Sequence, residues 1–349
     1  MKKILVGMSG GVDSSVTAAI LKDQGYDVEG ITLRLCEHGY DNSFLDAKKV
    51  AEKLGIKHHT LDLKTEFQKN VINYFVSEYL SGRTPNPCVE CNPKIKFGLL
   101  MEYALKNGFD GIATGHYAEI EYDESQKIYK LKKAGSGKDQ SYFLYKLSQS
   151  QLEHSCFPLC KFEKSYVREL AKHYDLPVAQ KSDSQDICFV KNMTHAEFIE
   201  NEIKRKPQNG DFVLESGRPI GVHKGITNYT VGQRKGLGIS WKYPLYVKKI
   251  DINTNSVILS DLESGYKKEI QIENTNFILP VEIGKTFAAL VKIRSRAHEV
   301  PCSFLRHNET TATIVFDEPQ KFPAPGQSAV LYDRDGYVIG GGIISDLFN

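Results

Sequence analysis

The sequence predicts an α/β chain in three parts: a doubly wound domain over residues 1–204, a small central domain over 205–274 and a C-terminal all-β barrel over 275–349. Three observations predict it. Apolar runs at 4–8, 28–35 and 111–115 alternate with helical periodicity at 16–24, 44–54, 66–80 and 94–106. Buried parallel strands joined by crossover helices produce that alternation, and such sheets bind ligands at the carboxyl ends of their strands. A hairpin pattern at 117–120 and 128–132 and a further amphipathic stretch at 162–174 complete the first part. Beyond about residue 205 glycine and proline recur every few residues, and short β-branched runs at 256–259, 287–293, 310–316 and 329–332 replace the helices.

The bulk numbers fit this plan. At 349 residues the chain has length for two or three cores, and 41% hydrophobic with 25% charged residues is the composition of a globular protein in water. No apolar run approaches the roughly 20 residues of a membrane span, and the apolar stretch after Met1-Lys2-Lys3 is too short for a signal peptide. Seven cysteines, an odd and sparse set, point to a reducing cytoplasm and to reactive or metal-bound thiols. The net charge of +2 carries no message about nucleic acid; the distribution of charge does.

The first strand runs into Ser9-Gly10-Gly11-Val12-Asp13-Ser14-Ser15 and then into the helical stretch at Val16. Glycines allow positive φ and close approach of backbone to an anion; Ser9, Ser14 and Ser15 bring hydroxyls, and the helix brings its first N–H groups. No GxxxxGK[ST] motif occurs, and Gly135-Ser136-Gly137-Lys138 lacks that motif's first glycine and last hydroxyl residue. Strand–SGGVDSS–helix resembles the pyrophosphate loop of ATP pyrophosphatases, which split ATP into AMP and pyrophosphate while adenylating a carbonyl oxygen. The resemblance implies ATP binding, and Asp13 is expected to act near Mg²⁺ and the triphosphate.

Among the thiols, Cys88 and Cys91 are two residues apart in a segment that continues Asn92-Pro93. Asn92 suits an N-cap and Pro93 a first helical position, so a helix is expected over 94–106, with Cys91 at its start near Lys94 and Lys96. Both influences favour a thiolate, and Cys91 is expected to be nucleophilic. The pair is also half of a zinc knuckle, for which Cys156 and Cys160, with His154, form the other close group. Cys188 follows the polar loop from Lys181, whereas Cys36, Cys156, Cys160 and Cys302 read as core or incidental.

From Ser216 through Ile250 there is no acidic residue, while Arg218, Lys224, Arg234, Lys235, Lys242, Lys248 and Lys249 interleave with Tyr229, Trp241, Tyr243 and Tyr246. Basic residues track phosphates and aromatics stack on bases, so this stretch reads as an RNA surface. Lys292, Arg294, Arg296 and His298 would share one face of a strand by its period of two.

Taken together, Gly7–Ser15, Thr84-Pro85-Asn86-Pro87 with Cys91-Asn92, Ala113–Tyr117, Lys138–Tyr142, Ile187-Cys188-Phe189, Tyr229–Gly238, Val291–Arg296 and Pro325-Gly326-Gln327 resemble the bacterial tRNA-specific 2-thiouridylases (MnmA type) in order and over nearly the full length. Members of that family place sulfur on carbon 2 of the wobble uridine in tRNAs for Lys, Glu and Gln, and their first domain is adenine nucleotide alpha hydrolase-like. The resemblance implies ATP contacts at Gly7, Met8, Ser9, Gly10, Gly11, Val12, Asp13, Ser14, Leu33 and Gly115. It makes Cys188 the persulfide carrier and Cys91 the partner nucleophile, joined by a transient disulfide. Asn86, Pro87 and Cys88 would surround the target base, and His116, Lys138, Asp139, Gln140, Arg234, Lys235, Arg294, Ser295 and Gln327 would meet tRNA. A cysteine desulfurase or sulfur-relay protein would supply sulfur. The chain departs from many members in carrying Cys88 where they carry an aspartate, and in a shorter region after Cys36. With three thiols available, a [4Fe–4S] cluster on Cys88, Cys91 and Cys188 is the alternative to a persulfide–disulfide pair. A small-molecule pyrophosphatase-loop ligase and a zinc-stapled RNA-binding protein are the competing classes.

Overall fold

The computed structural model describes residues 2–36, 40–135, 137–182 and 187–345. In chain order the first domain comprises β1 (Lys3–Gly7), α1 (Val12–Asp23), β2 (Asp27–Arg34), α2 (Tyr40–Leu54) and β3 (His58–Asp62). Next comes α3, continuous through Lys64–Phe67, a π-helical turn at Gln68–Ile72 and Asn73–Leu80. Helix α4 is continuous through Pro87–Cys91, a π-helical segment at Asn92–Leu99 and Leu100–Lys106. The remaining elements are β4 (Gly111–Ala113), a hairpin of β5 (Ala118–Asp123) and β6 (Ile128–Lys133), α5 (Gln149–Glu153), β7 (Ser155–Cys156), α6 (Lys164–His173) and α7 (His195–Ile203).

The five strands form one parallel sheet in the order β3-β2-β1-β4-β7. Successive residues of β1 serve opposite faces, as the period of two requires. Ile4 and Val6 pack with Val16, Ala19 and Ile20 of α1, Val50 of α2 and Val167 and Ala171 of α6. Leu5 packs on the other face with Phe97, Leu100 and Ala104 of α4. The sheet is therefore covered on both sides, the doubly wound arrangement expected. β3 carries His58, His59 and Asp62 on an edge and shows no apolar run, which is why periodicity did not reveal it.

The central domain is a mixed sheet, β10-β11-β8-β9, of β8 (Gly210–Leu214), β9 (Pro219–His223), β10 (Tyr246–Asp251) and β11 (Ser256–Ser260). Phe212, Tyr229, Leu237, Val247, Val257 and Leu259 make its core. The last domain is a closed barrel, β12-β15-β14-β13-β16-β17, of β12 (Tyr266–Phe277), β13 (Thr286–Lys292), β14 (Val300–Arg306), β15 (Thr311–Lys321), β16 (Ser328–Tyr332) and β17 (Val338–Ile344). β12 begins at Tyr266, ahead of the boundary expected near 275, because its polar face (Lys267, Glu269, Glu273) hides the strand in the sequence. No helix among the described residues is long and apolar enough to cross a membrane.

The barrel is held against the first domain by a buried polar seam. Tyr142 Oη donates to Ser328 O at 2.9 Å, Asn276 Nδ2 to Tyr145 O at 2.7 Å and Gln327 Nε2 to Thr84 O at 2.8 Å. Tyr142, Tyr145 and Tyr332 are fully buried there among Leu131, Val330 and Val338.

Candidate active site

The turn after β1 is shaped by glycine. Gly10 has φ of +68°, and a Cβ there would lie 2.4 Å from the carbonyl oxygen of Ser43, so only glycine fits. Gly115, just past β4, presses equally closely on α1, with an ideal Cβ 2.8 Å from the backbone of Asp13. The hydroxyls are used unevenly. Ser9 N donates to Ser14 Oγ at 3.1 Å and ties the loop, whereas Ser15 Oγ turns back to Gly11 O at 2.8 Å inside the helix. Ser15 is thus a helix group and not the third ligand hydroxyl that the pattern suggested. Asp13, in the first turn of α1, accepts Lys164 Nζ at 2.5 Å and Tyr117 Oη at 2.8 Å on Oδ1, and Lys138 Nζ at 3.4 Å on Oδ2.

Helix α4 starts earlier than Asn92 and Pro93 imply. Asn86 is its N-cap, its side-chain oxygen accepting Cys88 N at 3.2 Å, and Pro87 takes the first position. Pro93 lies inside the helix, where the missing N–H and ring are accommodated by the π-helical segment Asn92–Leu99. Gly98 makes the widened turn possible, since a Cβ there would sit 2.7 Å from Pro93 O. Gln151 Nε2 donates to Pro93 O at 2.8 Å and Phe97 O at 2.9 Å, supporting the same turn. Glu90 is buried between Lys94, at 2.7 Å, and Lys146. Burial alone would raise its carboxyl, but the two ammoniums outweigh that and hold it below the usual range.

Cys91 therefore faces inward at the end of the first helical turn, packed with Phe67, Phe75, Ile95 and Phe189. The residues flanking Cys188 anchor in the same cluster: Ile187 packs on it, and the Phe189 ring meets Phe67 at 5.6 Å and Phe75 at 5.3 Å. Leu33, near the end of β2, and Leu35, just past it, pack on that cluster too, so one apolar wall joins the carboxyl end of β2 to Cys91 and the flanks of Cys188. Cys88 and Cys188 reach solvent from a crowded cleft, and Cys88, Cys91 and Cys188 are not disulfide-bonded. Residues 183–186, which precede Ile187 and Cys188 in sequence, lie outside the described residues.

The thiols are not preset as thiolates. Burial pushes Cys91 up to about 11 against the opposing pull of Lys96, and pushes Cys88 up likewise. Burial, reinforced by the neighbouring Cys91 and Cys88, pushes Cys188 up to about 12. The expected low pKa of Cys91 is corrected: the earlier helix start carries it into the core, and desolvation exceeds the helix and lysine effects. Cys36, read as incidental from sequence, lies close enough to Cys188 to help push that thiol up. Its place just past the carboxyl end of β2 was the available signal. No group of three His, Cys, Asp or Glu among the described residues is arranged to hold a metal. Neither Cys88, Cys91 and Cys188 nor Cys156, Cys160 and His154 form such a group among the described residues.

Several residues expected at the RNA surface are occupied within the fold. Arg294 Nη2 donates to Val231 O at 3.1 Å and Phe322 O at 2.8 Å, strapping the barrel to the central domain. Asp139 accepts Ser141 N at 3.0 Å and Ser141 Oγ at 2.9 Å, and Gln140 accepts Tyr117 N at 3.1 Å. His116 lies deep beside Phe97 and Phe157, and burial drops its imidazole well below its ordinary value, leaving it neutral near pH 7. β13 ends at Lys292 and a turn follows, with Ala297 N donating to Arg294 O, so Lys292 to His298 do not share one strand face. Ser295 lies in that turn, partly buried. Tyr229 is core, not surface. Arg234 and Lys235 are exposed, and Arg234 lines an open groove with Trp241, Lys242 and Tyr243. Arg218 lies 5.8 Å over the Trp241 ring.

A doubly wound first domain with a glycine-hydroxyl turn after β1, followed by two β domains, defines a chain of the nucleotide-binding HUP class. Family profiles cover the chain in three matches: tRNA methyl transferase HUP domain at 2–192, tRNA methyl transferase PRC-barrel domain at 196–261 and aminomethyltransferase β-barrel domain at 267–344. Similar proteins include the tRNA-specific 2-thiouridylase MnmA of Acetivibrio thermocellus, 46% identical over 98% of this chain and 99% of its own. That of Clostridioides difficile (strain 630) is 45% identical over 98% of both. A solved 4-thiouridine synthetase–RNA complex with bound ATP is 18% identical, with a TM-score of 0.34, over 58% of this chain and 50% of that one. The chain belongs to the tRNA-specific 2-thiouridylase (MnmA) family.

Proposed function

We propose that this protein replaces the C2 oxygen of a tRNA wobble uridine, in tRNAs for Lys, Glu and Gln, with sulfur at the expense of ATP. The single observation that carries the reading is full-length membership of the 2-thiouridylase family combined with one core cluster that gathers Cys91, the flanks of Cys188 and the end of β2. ATP lies along Gly7–Ser14, with Leu33 and Gly115 on the nucleoside side. Mg²⁺ enters with the triphosphate, and Asp13 supplies the carboxylate nearest the loop. The uridine C2 oxygen attacks the α-phosphorus, and the bond to pyrophosphate breaks. That step turns a poor leaving group into AMP.

Sulfur reaches Cys188 as a persulfide from a cysteine desulfurase or sulfur-relay protein. The terminal persulfide sulfur attacks C2 and AMP leaves with the former uridine oxygen. Cys91 then attacks the inner sulfur of Cys188; the old S–S bond breaks, 2-thiouridine is released and a Cys91–Cys188 disulfide remains for external thiol to reduce. Both cysteines rest protonated, which spares them from adventitious oxidation until a persulfide arrives. Asn86, Pro87 and Cys88 line the approach of the flipped base. Exposed Arg234 and Lys235 meet RNA directly, whereas Arg294, Gln327, Asp139 and Gln140 shape the surface that tRNA touches. The reaction is one of the cytoplasm, where charged tRNA pools and reducing thiols coexist.

The test is tRNA-dependent pyrophosphate release. Asp13→Ala should abolish it, whereas Cys188→Ser should retain it and lose thiolation by about 10³-fold or more. Wild-type release by Asp13→Ala would refute the loop assignment.

A further inference from the structure

Helix α4 departs from α geometry in one segment, and that segment aims a lysine. In an α-helix residue i+5 stands roughly 140° around the axis from residue i, on the far side. A π-helical turn, with its i→i+5 bonds, widens the helix and brings residue i+5 back towards the side of residue i; such turns are frequent at functional sites. The π-helical segment Asn92–Leu99 begins directly after Cys91, and Lys96 is the residue at i+5 from that cysteine. Its chain neighbours fix its direction from both sides. Ile95 is buried in the cluster that holds Cys91 and Phe189, and the buried Phe97 ring lies 5.7 Å from His116, the residue after Gly115. Lys96 points between them, half-buried. From there its charge acts on Cys88, Cys91, Cys188 and His116 alike.

The lysine is uncommitted. Lys94 and Lys146 both pair with Glu90, and Lys106 pairs with Glu102. Among the described residues Lys96 makes no hydrogen bond and no ion pair with a carboxylate. A half-buried ammonium without a carboxylate is costly unless an anion comes to it. The resting thiols are not that anion, because burial holds them protonated. A persulfide on Cys188 is. Its terminal sulfur ionises more readily than a thiol and stands about 2 Å beyond the cysteine sulfur. That sulfur, in turn, would be an unpaired charge beside Phe189 and Ile187 without a cation to meet it.

We propose that Lys96 is a further catalytic residue of the sulfur transfer, its ammonium facing the terminal sulfur of the Cys188 persulfide and then the Cys91 sulfur as it ionises. In the first step the terminal sulfur gives an electron pair to C2, and the C2–O bond breaks towards AMP. In the second, Cys91 gives its proton to solvent and its thiolate attacks the inner sulfur. The electrons of the broken S–S bond stay on the sulfur of 2-thiouridine, which takes a proton at N3. Negative charge thus passes from sulfur to sulfur beside one fixed ammonium. Lysine suits the task because its charge is compact and its stem flexible enough to follow the sulfur.

The inference rests on the thiolation reading above, and two measurements on the full chain separate the two. The variants are Lys96→Met, Lys96→Arg and Lys106→Met, a lysine of the same helix whose side chain is 71% exposed. The first measurement is the rate of iodoacetamide alkylation at Cys91 and Cys188, read peptide by peptide at about pH 8 without ATP or tRNA. The second is 2-thiouridine formation beside tRNA-dependent pyrophosphate release, with ATP and a cysteine desulfurase with cysteine. Lys96→Met should alkylate about tenfold more slowly at both cysteines and thiolate about 10²-fold more slowly, with pyrophosphate release within about threefold of wild type. Lys96→Arg should recover a large part of both losses, and Lys106→Met should match wild type throughout. Unchanged alkylation or unchanged thiolation in Lys96→Met overturns the assignment and leaves the thiolation reading standing. A fall in pyrophosphate release equal to the fall in thiolation also overturns it, since Lys96 would then hold a phosphate of ATP or tRNA. Wild-type protein that forms no 2-thiouridine would overturn the thiolation reading and the assignment together.

Discussion

At the scale of single residues the proposed chemistry turns on how burial sets the thiols. Cys91 pushed up to about 11 and Cys188 up to about 12 are protonated throughout the physiological range. In a variant retaining Cys91 as its only reactive thiol, alkylation by iodoacetamide should rise about tenfold per pH unit from pH 7 to 9.5. A plateau below about pH 9 would mean the thiol ionises early and the burial argument fails. Cys88 is predicted to be dispensable: Cys88→Ala should thiolate tRNA within about threefold of wild type, because the persulfide route uses two sulfurs. Loss of activity in Cys88→Ala, with iron present in anaerobically purified protein, would replace that route with cluster chemistry. Cys91 and Cys188 were legible as candidate thiols from Cys91-Asn92 and Ile187-Cys188-Phe189. Their protonation was not, because it depends on Phe67, Phe75 and Phe189 converging from distant segments. Lys164 was illegible for the same reason, since nothing in the local sequence ties the start of α6 to Asp13.

At the scale of elements, the glycine turn and the start of α4 carry the site. Gly10→Ala should disrupt the turn, costing at least roughly 1–2 kcal/mol for the left-handed backbone before the clash with Ser43 is counted. ATP affinity should fall with it, while tRNA binding by the central domain persists. Asn86→Ala should cost about 1 kcal/mol of stability through the lost cap. Thermal unfolding followed by circular dichroism measures both. The strand–turn–helix was legible because apolar β1, two glycines and the α1 periodicity are contiguous in sequence. The true start of α4 was not: Asn86-Pro87 and Asn92-Pro93 are equally good caps read locally, and only Gly98 and Gln151 let the helix continue through Pro93. Edge strands such as β3 and the polar start of β12 escaped detection because neither alternates cleanly.

At the scale of the whole molecule, three domains share one task through few strong joints. Arg294 binds carbonyls of Val231 and Phe322, and Gln327 binds Thr84 O, so the barrel holds both the central domain and the approach to α4. Salt should weaken tRNA binding, and replacing Arg234 and Lys235 by alanine should shallow that dependence by up to about two phosphate contacts. An unchanged slope would place the RNA surface elsewhere than the Arg234–Tyr243 groove. Whether ATP and a Cys188 persulfide together put sulfur on tRNA can be read from mass spectrometry of nucleosides. Unmodified tRNA for Lys, Glu or Gln is incubated with the protein, ATP and a cysteine desulfurase with cysteine, then digested. 2-Thiouridine should appear at the wobble position, and should be absent without ATP and absent with Cys188→Ser. Thiouridine formed without ATP or by Cys188→Ser, or none formed by the wild-type protein with every component present, would contradict the proposed function.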